Sequence, residues 1–160
     1  MSREGVTKGQ TPVAVGTDDD DKRSDPTQPA LDQVRAYFSQ DHFAAAAGCV
    51  IDDATPGHAV VRMPLRDDLH RNAQGSVMGG AIFTLADFAL AVASNVGQAP
   101  TVSVSNQIEF LSAARGTRLV ATCEADRSGR ALGFYTTDVY DELGTHVARM
   151  TATCFRRQRP

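Results

Sequence analysis

The sequence predicts an α+β domain, with one long buried helix wrapped by a mainly antiparallel sheet. Three observations predict it. The stretch 77–97 is apolar on nearly every side, the pattern of a helix covered all round. Two alternating segments precede it and four follow, each closed by a turn signal. Between residues 72 and 108 the only charged side chain is Asp87, and it falls inside the apolar run.

The elements follow in order. Residues 1–29 are rich in Gly, Thr, Pro and Asp and bury little. Within them Asp18, Asp19, Asp20, Asp21 and Lys22 spell an enterokinase cleavage site. Both lysines of the chain, Lys8 and Lys22, lie here, and all 12 basic residues after Arg23 are arginine. Residues 1–23 are therefore expected to be an expression tag and 24–160 a single domain. Leu31, Val34, Phe38 and Phe43 predict an amphipathic helix over 31–46, ended by Gly48. Segments 49–53 and 57–65 read as strands around the turn Thr55, Pro56, Gly57. In the second, Ala59, Val61 and Met63 share one face and His58, Val60 and Arg62 the other. Pro64 suits a strand end.

The polar stretch 66–76 reads as a loop. In the long helix Met78, Ile82, Leu85, Ala89, Val92 and Val96 step by 4 or 3, the spacing of one helical face, and Gly97 stops it. Strands are predicted over 101–111, 117–126, 132–141 and 145–156, with a hairpin turn at Glu142, Leu143 and Gly144. No internal repeat is visible.

Composition narrows the function. A net charge of -3, 6% aromatic residues and no Trp speak against a nucleic-acid partner. Cys49, Cys123 and Cys154 form no C-x-x-C pair and their odd count is no disulfide framework, which fits a cytoplasmic setting. The amino terminus lacks the apolar core of a signal peptide. The run 77–97 is long enough to span a membrane, but Asp87, Ser94, Asn95 and its many Ala and Gly residues argue against it. His42, His58, His70 and His146 have no metal-ligand spacing and read as structural or exposed. Neither a G-x-S-x-G elbow nor a phosphate loop occurs.

What remains is a constellation around the helix start. An ionised carboxylate inside an apolar helix is costly unless something pairs with it or uses it. Before it stands N-A-Q-G-S-V-M-G-G, residues 72–80, and around it L-A-D, residues 85–87. These motifs, with Val102-Ser103-Val104 and the stretch from Ile108 to Gly116, resemble the hotdog-fold thioesterases. Among them the chain is most similar to the phenylacetic-acid-degradation type of acyl-CoA thioesterase, over residues 31 to 156. The resemblance implies a thioester hydrolase in which Asp87 acts as general base or nucleophile and the Gly79 N–H holds the oxyanion. It further implies that Asn72 orients the water or the carboxylate and that Ser103 positions the water.

Physical chemistry agrees with the types. Gly79 and Gly80 open the helix, their amides are orphan donors backed by the helix dipole, and without a Cβ they allow close approach. Helix geometry sets Asp87 about 12 Å along the axis from Gly79, too far to share one carbonyl. The family builds its site across a dimer, which answers that distance; a homodimer, doubled to a homotetramer, is expected. The substrate-binding set is expected to comprise Met78, Gly80, Phe83, Phe88 and Phe110, with Arg127 and Arg130 on the coenzyme A phosphates. No cofactor or metal is expected, coenzyme A entering as part of the substrate.

Plainer readings stand beside these. Asp87 alone divides evenly between function and structure. Asn72 alone is a turn former, Gly79 and Gly80 alone are a packing device, Ser103 alone is an ordinary strand hydroxyl, and the arginines alone are a solvated rim. Met78 replaces a histidine common in the family, which leaves a non-catalytic acyl-CoA sensing module as the rival. A dehydratase ranks last, because no histidine follows Asp87 until His146.

Overall fold

A computed structural model describes residues 29–157. The tag expected at 1–23 lies outside the described residues. Six strands form one antiparallel sheet in the order β1-β2-β4-β5-β6-β3. They are β1 (Val50–Thr55), β2 (His58–Pro64), β3 (Thr101–Phe110), β4 (Arg118–Ser128), β5 (Leu132–Asp141) and β6 (His146–Arg156). The helix α4 (Gly79–Asn95) lies against one face of it and touches all six strands.

Alternation places the core. Val61 of β2, Ala121 of β4, Val139 of β5 and Ala148 of β6 are fully buried and in register across the sheet. Opposite them Leu85, Ala86, Ala89, Val92 and Ala93 of α4 are fully buried too. Alanine on both sides lets the helix axis settle close to the sheet, and each buried Leu or Val contributes about 1.5–3 kcal/mol. Gly97 (φ 62) ends α4 in the left-handed region, as the sequence predicts.

Two elements differ from expectation. The helix predicted over 31–46 is two, α1 (Leu31–Phe38) and α2 (His42–Ala46). Asp41 causes the break: its side chain accepts from the Ala44 amide at 2.9 Å and caps a new helix start. The loop predicted over 66–76 holds a short helix, α3 (Asp67–His70). His70 is buried and anchors it. Its Nδ1 accepts from the Arg66 amide at 2.9 Å, so the proton sits on Nε2, which donates to the Ala47 carbonyl at 3.0 Å.

At the far end of the sheet one carboxylate organises two turns. The buried Asp141 accepts from the amides of Arg115, Gly116, Leu143 and Thr145 at 2.8–3.3 Å. Burial opposes its charge, but the amides outweigh burial and hold the carboxyl down at about 2. A depressed pKa gives stability that is complete above the unfolded value near 3.8 and lost as pH falls towards 2. Asp141→Ala is expected to lower unfolding free energy by about 2–4 kcal/mol at pH 7. In urea melts from pH 7 to pH 2 the gap to wild type should close in the acid range.

Candidate active site

The helix start is built without a polar cap. Met78 occupies the N-cap position, no side chain bonds to the first amides, and no acidic residue lies in the first turn. The amides of Gly79 and Gly80 have no acceptor among the described residues. They are the free donors, backed by a helix dipole, that an anion or a polarised carbonyl needs.

The approach loop is tied by Asn72. Its Oδ1 accepts from the amides of Gln74 (2.9 Å) and Ser76 (3.1 Å), and its own amide donates to the Ser76 carbonyl at 2.8 Å. Within one protomer Asn72 is therefore the turn former of its plainer reading. It shapes the loop that delivers Gly79, and does not touch Asp87.

Along the sheet edge, α4 and β3 run antiparallel. A Cβ on Gly79 would stand 3.1 Å from the exposed Phe110 ring, a tight contact that the ring would have to yield to by a few tenths of an ångström. Asn106 bonds to Asp87, and the Asn95 side chain brackets the Thr101 backbone, accepting at 2.8 Å and donating at 3.2 Å. Gly79, Asp87 and Asn95 thus lie level with Phe110, Asn106 and Thr101 in turn.

Asp87 is half-buried and opens into a cavity of about 220 Å³ lined by Asp41, Phe43, Phe83, Thr84 and Phe88. Phe88 is fixed edge-to-face on Phe38, ring centroids 5.9 Å apart. Burial pushes the Asp87 carboxyl above its ordinary value, an Asn106 N–H at 3.0 Å opposes this, and the charge of Asp41 adds to it. A second, apolar groove of about 380 Å³ adjoins, sharing Phe43 and Thr84 and lined further by Met78, Gly80 and Leu69. A third cavity, about 430 Å³, lies on the other side of Gly79 under Phe110 and Leu111.

Of the residues expected from sequence, Asp87, Phe83 and Phe88 share one cavity, and Met78 and Gly80 line the adjoining groove. Gly79 and Phe110 meet in the third. Ser103 pairs with the buried Cys154, so it sits on the helix-facing side of β3, exposed at the edge beyond Asn106. Arg127 and Arg130 lie at the end of the sheet where α4 finishes, away from Gly79 within one protomer. Sequence reasoning missed Asn106 and Asp41. A register shift between Ser103 and Ser105 brings Asn106 to the same side as Ser103, where strict alternation would put it opposite.

Asp87→Asn keeps an acceptor for the Asn106 N–H and removes a half-buried charge. A raised carboxyl pKa costs nothing below the unfolded value, where both states are protonated, and costs most once pH exceeds the folded value. The variant is expected to melt at or above the wild-type temperature at pH 7, with the difference vanishing in the acid range, below about pH 4. Scanning calorimetry at both pH values checks this.

Comparison with known proteins gives a consistent set of relatives. The model of the thioesterase superfamily matches residues 74–148. The acyl-coenzyme A thioesterase PaaI of Escherichia coli K12 is 31% identical over 120 residues, 74% of this chain and 85% of that protein. The solved structure of the E. coli PaaI protein superposes with a TM-score of 0.73 at 29% identity, covering 77% of this chain and 89% of that one. The phenylacetic acid degradation protein PaaI from Thermus thermophilus, solved as a point mutant, gives 0.69 at 33% identity, over 73% of this chain and 100% of that one.

Proposed function

The chain belongs to the hotdog-fold thioesterase superfamily and is a thioester hydrolase of PaaI-like type, and from that premise we propose that it hydrolyses an acyl- or aryl-coenzyme A thioester to the free acid and coenzyme A. One observation carries this reading. A helix start with free amides and a half-buried carboxylate two turns along it lie beside the same unpaired sheet edge.

The substrate carbonyl oxygen accepts from the Gly79 N–H, which gains strength as that oxygen becomes an anion. Asp87 of a second copy takes a proton from water as the water oxygen attacks the carbonyl carbon. Collapse of the tetrahedral intermediate breaks the carbon–sulfur bond, and the departing thiolate recovers the proton. In the other route the Asp87 carboxylate attacks directly and water opens the mixed anhydride. The Phe43, Leu69 and Met78 groove offers the acyl group an apolar wall free of charge. The E. coli relative, named an acyl-coenzyme A thioesterase, supports the substrate class.

The two copies meet along β3. Among the described residues that strand pairs only with β6, and along its length Val102, Val104 and Phe110 are exposed, Val104 to 60%. A ten-residue edge of this kind is a template for another strand. Antiparallel pairing of β3 with its copy sets two α4 helices side by side, start against finish. Arg127 and Arg130 of one copy then approach substrate held at Gly79 of the other. A homotetramer arises by doubling that dimer. No helix of the described residues is long and apolar enough to cross a membrane, and a cytoplasmic setting fits the reading.

Free-thiol release from short, long, branched, phenylacetyl and hydroxybenzoyl-CoA tests the function. Wild type is expected to turn over at least one member, and Asp87→Asn to lose roughly 10²–10⁴-fold in kcat while staying dimeric. Tight binding of an acyl-CoA without turnover would instead support a sensing module, with Met78 in place of a histidine as the reason. Val104→Lys places a charge in the edge and is expected to give a folded monomer with no thiol release. Light scattering beside the thiol assay reads both, and an active monomer would sink the two-copy site.

A further inference from the structure

Asn106 stands where hydrocarbon is the rule. On the helix-facing side of β3 and β6 its neighbours are Ile108, Met150, Ala152 and Cys154. Its Nδ2 donates to Asp87 Oδ1 at 3.0 Å, the only hydrogen bond that carboxylate accepts among the described residues. Its own Oδ1 is buried and accepts none. A buried amide with half its capacity unmet lowers stability, so a packing role is a poor account of it. Leucine at this position would fill the same space.

We propose that Asn106 is a positioning residue for thioester hydrolysis, holding one oxygen of Asp87 so that the other stays free and ionised towards the reacting centre. The proposal rests on the assignment of Asp87 as base or nucleophile. A carboxylate on a free side chain turns about its last bond. One N–H at Oδ1 stops that rotation and leaves Oδ2 without a protein donor, with its lone pairs available to water or to the carbonyl carbon.

The surroundings make this bond matter. From α2, Asp41 faces the cavity with a second negative charge. From β6, Cys154 faces Asp87 as a neutral thiol, its pKa pushed up to about 11 by burial and by the Asp87 charge. Phe83 and Phe88 are apolar, and the Thr84 hydroxyl donates to the Gly80 carbonyl at 2.9 Å. No Arg side chain bonds to Asp87 among the described residues. Burial and Asp41 therefore favour the neutral acid, and the Asn106 N–H is the group that favours the carboxylate. Removing it raises the pKa, so the acid limb of the rate profile moves to higher pH.

The test is kcat against pH on the preferred acyl-CoA for wild type, Asn106→Leu and Asn106→Asp, with a ¹³C titration of the Asp87 carboxyl in each. Asn106→Asp is nearly isosteric, which covers failure of the leucine variant to fold. It replaces the donor with a like charge. The expected result is an acid limb about one pH unit higher in Asn106→Leu, about tenfold in rate below the limb. Asn106→Asp should shift further, KM should stay within about twofold, and the carboxyl titration should follow the limb. A merely structural residue would lower the rate without moving either. An active wild type whose acid limb stays put in both variants overturns the role of Asn106 and leaves the thioesterase reading standing. A wild type inert towards every acyl-CoA removes the thioesterase reading and this role with it.

Discussion

The burial of α4 is the constraint from which the rest of the structure follows. A helix with fully buried Leu85, Ala86, Ala89, Val92 and Ala93 has no broad face that water can solvate. Only a sheet that bends around it can cover so much of its circumference, and six antiparallel strands do so. One flank escapes. There the helix presents Gly80, Thr84 and Asp87, small or polar residues of a mainly apolar element. The location of the proposed chemistry is thus a consequence of packing. A charged group on any other side of α4 would lie inside the core, where its desolvation would outweigh any use it had.

The same packing is the ground for the proposed two-copy site. Because α4 runs as one helix from Gly79 to Asn95, its free amides and its carboxylate are separated by about 12 Å and no side-chain movement brings them together. The sheet offers the remedy at its own boundary. β3 is the strand beside the open flank and among the described residues it has no outer neighbour. An edge that is exposed and apolar on one side of the site, and a site that is half complete on the other, are two descriptions of one unfinished surface. A two-fold at that edge, as proposed, would satisfy the backbone donors of β3 and supply the missing half at once.

Much of the architecture is legible in the sequence, for physical reasons that also mark where legibility stops. The buried period of α4 from Ile82 to Val96, its terminal Gly97 and the alternation of Ala59, Val61 and Met63 survive into the structure, because burial on one side of an element fixes its register, whereas Met78, expected on the same face, is the exposed N-cap. Hydrophobic spacing over 31–46 ignores a local competitor, and Asp41 caps the Ala44 amide more favourably than it continues a helix. Asn106 is invisible in the sequence because the register shift at Ser103 and Ser105 breaks the alternation that would have assigned its side. That Arg127 and Arg130 lie far from Gly79 of their own chain is not legible either, because strand order is not written in a linear pattern. Only the succession β4-β5-β6-β3 across the sheet shows which end they occupy.

Met78 brings these threads to one point. A histidine there would supply a side-chain donor at the helix start; methionine supplies none, and its methyl lies 3.1 Å from where a Cβ on Gly80 would be. In the proposed reaction, stabilisation of a developing oxyanion then falls wholly on backbone amides, whose direction is set by the backbone of α4. That raises the demand on the Gly79 amide, beside which the Phe110 ring packs closely. It raises the demand on the carboxylate as well. With less help at the carbonyl oxygen, attack would depend more on a base that is ionised and correctly turned, and Asn106, which bonds to Asp87, is the residue proposed to keep it so. The lack of a side-chain donor at one end of the site and the presence of one on β3 are physically complementary. A helix start served by backbone alone and a polar side chain on an apolar strand face therefore belong to a single arrangement.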